Sequence, residues 1–163
     1  MDSHPLYAPV RACTACDLHT KCKAPTPGVG SPGSRVMLVG EAPGATEDES
    51  GIPFTGKTGR YLDALLGDIG LPRSQVYITN TTKCRPLRNR TPTPAEAKFC
   101  GNRWVDIEIG MVRPQVVVTL GASATRYFTG LDEPMEYISG IPRPFVWHGH
   151  GFPLLPIYPP AYG

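Results

Sequence analysis

Three groups of residues in this sequence could do chemistry. The first is a set of five cysteines, Cys13, Cys16, Cys22, Cys84 and Cys100. Clustered thiols in a reducing compartment point to a metal rather than to disulfides, and sets of four suit zinc or an iron–sulfur cluster. Cys13-x2-Cys16 has the spacing of a ligand pair. Cys84 and Cys100 have fifteen residues between them, wider than the second pair of most zinc sites. The odd number leaves at least one thiol spare. The second group is a glycine-rich loop, Gly40-Glu41-Ala42-Pro43-Gly44 to Glu47-Asp48, continuing through Gly51-Ile52-Pro53-Phe54-Thr55-Gly56-Lys57-Thr58-Gly59. Its glycines let backbone N–H groups approach a ligand. The third is Asn80 to Pro92, where Lys83, Arg85, Arg88 and Arg90 form the most basic stretch of the chain. A basic loop at the mouth of a site suits an anionic partner such as nucleic acid; the other reading is a solvated loop with no partner.

Gly51-x4-Gly56-Lys57-Thr58 matches a phosphate-binding P-loop formally. That motif should follow a strand directly, and here a long loop separates it from Gly40. Pro53 and Phe54 also make a poor phosphate cradle, so a nucleotide-binding P-loop enzyme ranks last.

The elements that must position these groups follow from hydrophobic periodicity. Residues 35 to 40 are a short apolar run closed by Gly, as in a buried parallel strand. A loop is expected from there through Phe54. Residues 57 to 69 predict a helix with Tyr61, Leu62, Leu65, Leu66 and Ile69 on one face, ended by Gly70 and Pro72. Val76 to Thr79 is a second strand. Thr93-Pro94 with Glu96 reads as a capping box that opens a helix to about Gly110. Residues 115 to 120 are a third strand, and Gly121-Ala122 opens a short helix to Gly130. Residues 153 to 157 supply a fourth strand. Strands alternating with helices imply an α/β protein, a three-layer α/β/α sandwich around a short, mostly parallel four-stranded sheet. Ligands of such sheets bind at the carboxyl ends of the strands. The loops starting at Gly40, Asn80, Gly121 and Tyr158 are therefore expected to converge.

Bulk properties set the frame. At 163 residues, 40% of them hydrophobic, the chain suits a single domain over 1–163, with 1–34 a cysteine-bearing arm. No apolar run is long enough to span a bilayer, and Met1 to Pro5 lacks the start of a signal peptide. A cytoplasmic protein with no membrane partner is expected. No large apolar surface stripe is evident, so a monomer is expected. The net charge of +2, from 16 basic and 14 acidic residues, neither demands nor excludes nucleic acid. The 19 prolines and 18 glycines cluster in pairs that mark rigid loops.

Taken in order, Gly-Glu-Ala-Pro-Gly with Glu47-Asp48, Pro53-Phe54-x-Gly-Lys-x-Gly, Tyr77-Ile78-Thr79-Asn80, Lys83-Cys84-Arg85-Pro86, Asn89-Arg90, Arg113-Pro114-Gln115 and Thr119-Leu120-Gly121-Ala122 resemble the family 4 uracil-DNA glycosylases of bacteria and archaea. The resemblance extends over nearly the whole chain. It implies hydrolysis of the N-glycosidic bond of uracil in DNA to leave an abasic site, in base excision repair, with uracil-containing DNA as the partner. It also implies a [4Fe-4S] cluster held by Cys13, Cys16, Cys84 and Cys100, with Cys22 left over. Such a cluster is expected to be structural, tying the N-terminal arm to the basic loop.

The same resemblance assigns roles. Phe54 matches the ring that stacks on uracil and Asn80 the residue that reads it, although an Asn after a strand is equally a turn former. Glu47 matches the residue that fills the space of a thymine methyl. Glu41, with the backbone around Ala42, matches the loop beside the sugar and base. Ala42 itself has no group to orient water. Lys83, Arg85, Arg88 and Arg90 would face DNA. The sequence departs from the family at its C-terminus, where Pro159 stands in place of a histidine that donates to the uracil, and the chain ends at Gly163, before a further helix. Proline offers no donor. That departure motivates an alternative, a catalytically weak or inactive protein on the same fold that binds uracil or damaged DNA. His148 or His150 could stand in for the missing histidine, although a nearby loop histidine is more often a bystander.

Overall fold

A computed structural model describes residues 4–160. Residues 1–3 and 161–163 lie outside the described residues, and with them Met1, Asp2 and Ser3 of the N-terminal reading and Ala161, Tyr162 and Gly163 of the C-terminal one. Five strands, β1 (Val36–Gly40), β2 (Val76–Asn80), β3 (Val116–Leu120), β4 (Arg143–Trp147) and β5 (His150–Ile157), form one sheet in the order β2-β1-β3-β5-β4. The first four in that order are parallel, and β4 pairs antiparallel with β5 at the edge.

The helices are α1 (Tyr7–Arg11), α2 (Ala45–Ser50), α3 (Lys57–Asp68), α4 (Pro94–Cys100), α5 (Asp106–Val112), α6 (Ala122–Thr129) and α7 (Met135–Ile138). The central strands are β-branched and buried on both faces, and alternation along them builds two cores. Met37, Val39, Tyr77 and Val117 pack against Val105, Ile109 and Val112 on one side. Leu38, Val76 and Ile78 pack against Leu62 and Leu66 on the other. The result is the expected three-layer sandwich, with five strands where four were expected.

The extra strand, β4, carries Pro144 and shows the alternating burial of an edge. Proline is tolerated there because an edge strand does not need every N–H. Two further expectations are corrected. The stretch from Gly40 to Phe54 contains the helix α2. On α3, only Leu62 and Leu66 of the expected apolar face are buried, while Tyr61, Leu65 and Ile69 are exposed. A surface helix needs one stripe inside, and its flanking apolar residues overhang into water.

The helix expected from Pro94 to about Gly110 runs from Pro94 to Val112, interrupted by a wide turn at Gly101–Val105. A side-chain carbon on Gly101 would lie 2.2 Å from the Tyr127 ring, so this glycine lets α6 pack against the wide turn. The capping box is present: Thr93 Oγ1 accepts from Glu96 N–H (3.1 Å) and Glu96 Oε1 accepts from Thr93 N–H (2.8 Å).

Below the sheet lies a buried polar group. Lys83 (1% exposed) and Glu108 (0%) form an ion pair at 2.5 Å, and Tyr77 Oη donates to the other carboxylate oxygen at 2.6 Å. The Lys83 ammonium also donates to Asn80 O at 2.7 Å and to Thr79 Oγ1. Lys83 therefore leaves the set of residues expected to face DNA. A buried ammonium needs a carboxylate beside it, and Glu108 provides one.

The Glu96 carboxyl is pulled down to about 2, first by its hydrogen bonds with Arg90. A lowered folded pKa contributes stability that is whole above the unfolded value of about 4.3 and is lost as pH falls through about 2. Denaturant titrations should therefore find Glu96→Gln less stable than the parent at pH 7, with the gap closing between those two values.

Candidate functional site

The loops after β1 and β2 are joined before they diverge. Thr81 N–H donates to Gly40 O (2.9 Å), Thr82 N–H to Glu41 O (3.1 Å) and Thr81 Oγ1 to Glu41 O (2.9 Å). Beyond that seam they enclose a cavity of about 270 Å³, just under the ~300–1,000 Å³ usual for small-molecule pockets. Its walls include Glu41, Ala42, Glu47, Phe54, Asn80 and Arg90. Two of the four loops expected to converge thus build it, and among the described residues those from Gly121 and Tyr158 supply no lining residue. Pro159 instead packs on Gly121, where a side-chain carbon would lie 2.9 Å from Pro159 Cγ.

Gly40 lets Phe54 and Asn80 meet. A side-chain carbon there would stand 2.4 Å from Phe54 Cζ and 2.6 Å from Asn80 Oδ1. Asn80 is 2% exposed, and its Oδ1 is buried with no hydrogen-bond partner among the described residues. An orphaned acceptor in a cavity wall is costly unless a ligand brings a donor.

Phe54 has a φ of 55°, a left-handed conformation that is strained for a bulky residue. Two groups hold it. Arg73 donates to Pro53 O (2.9 Å) and to Phe54 O, and is itself fixed by Asp63 (2.8 Å). The Glu47 carboxylate accepts from the N–H groups of Gly44 (2.9 Å), Thr55 (3.0 Å) and Gly56 (2.8 Å). The P-loop look-alike is therefore filled from within, since a carboxylate of the chain occupies N–H groups that a phosphate would need. Arg73 carries no local sequence signal, because its partners are defined only by the fold, while of the Glu47 bonds only that to Gly44 has a local spacing, the i, i+3 of a capping box. The Glu41 carboxyl is raised by burial, against a hydrogen bond with Thr91.

The basic loop is heterogeneous. Arg85 Nε donates to Asn89 Oδ1 (2.7 Å), and Arg90 makes a two-pronged contact with Glu96 (2.7 and 2.9 Å). Arg88 is exposed and makes no ion pair among the described residues. None of the four histidines lines the cavity. His148 approaches Asp106 at 3.5 Å and His150 Pro114 O at 2.9 Å, beside the amino ends of β5 and β3. Neither can replace a donor at the opposite, carboxyl end of the sheet.

Cys13, Cys16, Cys84 and Cys100 line a second, small cavity with Phe99 and Trp104. Trp104 Nε1 donates to Cys13 Sγ (3.4 Å) and Lys83 N–H to Cys100 Sγ (3.3 Å). Burial would raise the Cys13 thiol, but hydrogen bonds from Ala15, Trp104 and Arg103 bring it below the usual range. The Cys84 thiol is raised, first by its hydrogen bond with Cys22 and then by burial, while the same bond lowers Cys22. Burial pushes Cys100 up to about 11, against the nearby Lys83 charge. Among the described residues, no three His, Cys, Asp or Glu side chains converge as ligands of one metal ion. The donors aimed at sulfur and the shared cavity fit a group held through separate thiolates. Val10 of α1 packs beside Cys100 and Trp104, so the N-terminal arm is anchored there.

Hydrogen bonds to a charged acceptor are worth about 1.5–3 kcal/mol each. Glu47→Gln should therefore lower unfolding stability by at least about 1.5 kcal/mol in urea titrations. Hydrogen exchange should speed up at Gly44, Thr55 and Gly56.

Comparison with known proteins agrees with this geometry. A family model described as the uracil DNA glycosylase superfamily matches residues 27–162. A type-4 uracil-DNA glycosylase of Thermotoga maritima is 40% identical over 94% of this chain and 78% of its own length. One from Saccharolobus solfataricus is 39% identical over 99% of this chain and 77% of its own. A type-5 uracil-DNA glycosylase of Thermus thermophilus is 39% identical over 61% of this chain and 52% of its own. No helix among the described residues is long and apolar enough to cross a membrane. By the match over most of its length, the chain belongs to the uracil DNA glycosylase superfamily.

Proposed function

We propose that this protein is a monofunctional uracil-DNA glycosylase of the type-4 kind, acting as one domain on DNA that contains uracil. The observation that carries this reading is the unpartnered Oδ1 of Asn80, buried in a wall it shares with Phe54. The N3–H of an extruded uracil would donate to that oxygen, and the amide NH2 would donate to O4. Cytosine offers the reverse pattern and would set acceptor against acceptor. Phe54 supplies a ring for the base to stack on, and its left-handed backbone is over-determined by Arg73 and by the Glu47 carboxylate on the next N–H groups. Glu47, immobilised by three N–H groups, forms the wall that a 5-methyl group would strike.

Chemistry at this site must proceed without a histidine. Ala42 cannot orient water and Pro159 cannot donate. The C1′–N1 bond would break first, its electron pair leaving with the uracil. The Asn80 amide would hold the resulting anion and the Glu41 carboxylate would face the sugar cation, which water then captures at C1′, the proton it loses ending on the departing uracil. Fixed dipoles in a dry cavity are the main source of rate here. The relatives are named as glycosylases, and a binding protein without catalysis is the less favoured reading.

For the sulfur site we propose a [4Fe-4S] cluster on Cys13, Cys16, Cys84 and Cys100. The four sulfurs surround one cavity without meeting at a point, which suits irons that each take one thiolate better than a single zinc ion. The role is structural, since Lys83 N–H links Cys100 to the strand end that carries Asn80. Arg85 and Arg88 are the cations of the basic loop best placed for phosphates. The protein is expected to act as a monomer.

A uracil-containing oligonucleotide, incubated with the protein and then treated with alkali, should break at the uracil. Asn80→Ala should slow this by about a hundredfold or more; unchanged excision would remove Asn80 from the site. Loss of the cluster, by chelation or oxidation, should lower the melting temperature. An unchanged Tm would end the structural role.

A further inference from the structure

Arg73 does not line the cavity. It sits in the tight turn Arg73–Gln75 that leads into β2, and its side chain reaches back to the loop that carries Phe54. Each nitrogen of its guanidinium has a partner. Nε donates to Asp63 Oδ1 on α3 (2.8 Å), Nη1 to Pro53 O (2.9 Å) and Nη2 to Phe54 O. A guanidinium is a rigid planar fork, so a contact on every nitrogen leaves it one orientation. A surface ion pair is worth little by itself. The half-exposed Asp63 matters here as the anchor for the other two contacts.

Those two carbonyls are the ends of one torsion. The φ angle of Phe54 runs from the carbonyl carbon of Pro53 to that of Phe54 itself, and Arg73 holds the oxygens of both. That angle is 55°, where a bulky residue is strained. Strain of this kind favours the relaxed backbone by about five- to a hundredfold in population. Glu47 grips the chain only after Phe54, at the N–H groups of Thr55 and Gly56. It fixes where the loop goes next, and the torsion at Phe54 is left to Arg73.

We propose that Arg73, anchored by Asp63, is a positioning residue for uracil: it keeps Phe54 in the conformation that presents its ring to the base, and so sets how tightly the base is held. This rests on the uracil-excision reading above, with Phe54 as the stacking ring. A site whose competent form is only part of the population binds more weakly by that fraction. Without the grip, part of the binding energy goes into drawing Phe54 back. Once the base is seated the ring stands where it did, and bond breaking is untouched. The effect therefore falls on binding and spares the chemical step.

The test is single-turnover excision from a single-stranded uracil oligonucleotide, read as a half-saturating protein concentration and a limiting rate. Arg73→Met is expected to raise the first about tenfold and to leave the second within about twofold. Arg73→Lys keeps the charge and loses the fork, so it should resemble Arg73→Met; full recovery assigns the effect to charge and overturns the proposal. In a Phe54→Ala background, Arg73→Met should change neither quantity by more than about twofold, because a residue that acts through another has nothing left to act on. The same loss in both backgrounds, or a fall in the limiting rate alone, overturns the proposal. If Arg73→Met does not fold, Asp63→Ala carries the test, with a smaller shift in the same direction. If the native protein excises nothing, the uracil-excision reading fails instead. The hold on Phe54 is then decided by NMR: its HN–Hα coupling and Cα shift should leave their left-handed values in Arg73→Met, and unchanged values overturn the proposal.

Discussion

Lys83 and Glu108 meet beneath the sheet with almost no access to water, and what surrounds them shows why the pair is there. The Lys83 ammonium donates to the carbonyl of Asn80, and its backbone N–H donates to Cys100 Sγ. Its carbonyl accepts from Thr26 N–H of the N-terminal arm at 2.7 Å. One residue thereby joins the end of β2, the sulfur cavity and the arm. Taking two charges out of water is expensive, and a buried pair of this kind is weak as a source of net stability. What it supplies is a single allowed position for the turn between Asn80 and Cys84. A hydrophobic substitute of similar size would remove the ammonium's hydrogen bond to the Asn80 carbonyl.

The cavity follows the same logic of fixed placement. Its aromatic wall is a residue in an unfavourable backbone conformation, retained because Arg73 holds the chain from one side and the first turn of α3 presses from the other. Gly59 makes that pressure feasible, since a side-chain carbon there would sit 1.8 Å from Phe54 O. The facing wall is an asparagine whose backbone is fixed from below and whose side-chain oxygen has no partner among the described residues. The strained backbones of Phe54 and Asn89 and the unpartnered Oδ1 of Asn80 border one volume, while the sheet beneath is regular. The stable part of the molecule supports the part that has to be ready for a ligand.

How much of this was legible from residues alone depended on the range of the interactions. The strands ending in Gly40, Asn80 and Leu120 announce themselves by apolar runs, and the Thr93–Glu96 capping box by local spacing. Phe54 and Asn80 were found through ordered motifs and meet in one cavity, as the four cysteines Cys13, Cys16, Cys84 and Cys100 meet in another. The edge strand Arg143–Trp147 was hidden because one buried face and a proline make a weak pattern. Lys83 was misassigned because charge in a basic loop gives no hint of a carboxylate twenty-five residues later. Arg73 was invisible for the same reason, since its partners lie ten to twenty residues away, whereas Glu47 reaches Gly44 at the local spacing of a capping box and gains Thr55 and Gly56 only when the loop closes. His148 and His150 were plausible by nearness in sequence to Pro159, yet strand direction carries them to the opposite end of the sheet.

The carboxylate of Glu47 has a consequence of its own. Backbone N–H groups at the start of α3 form an anion cradle of the sort that elsewhere grips nucleotides, and here the chain has sealed it with its own negative charge. With the N–H groups of Thr55 and Gly56 already donating to Glu47, the triphosphate of a free nucleotide finds no cradle there. Selectivity against the commonest small anions of the cell is thus built in by self-occupancy, without any surface designed to repel them.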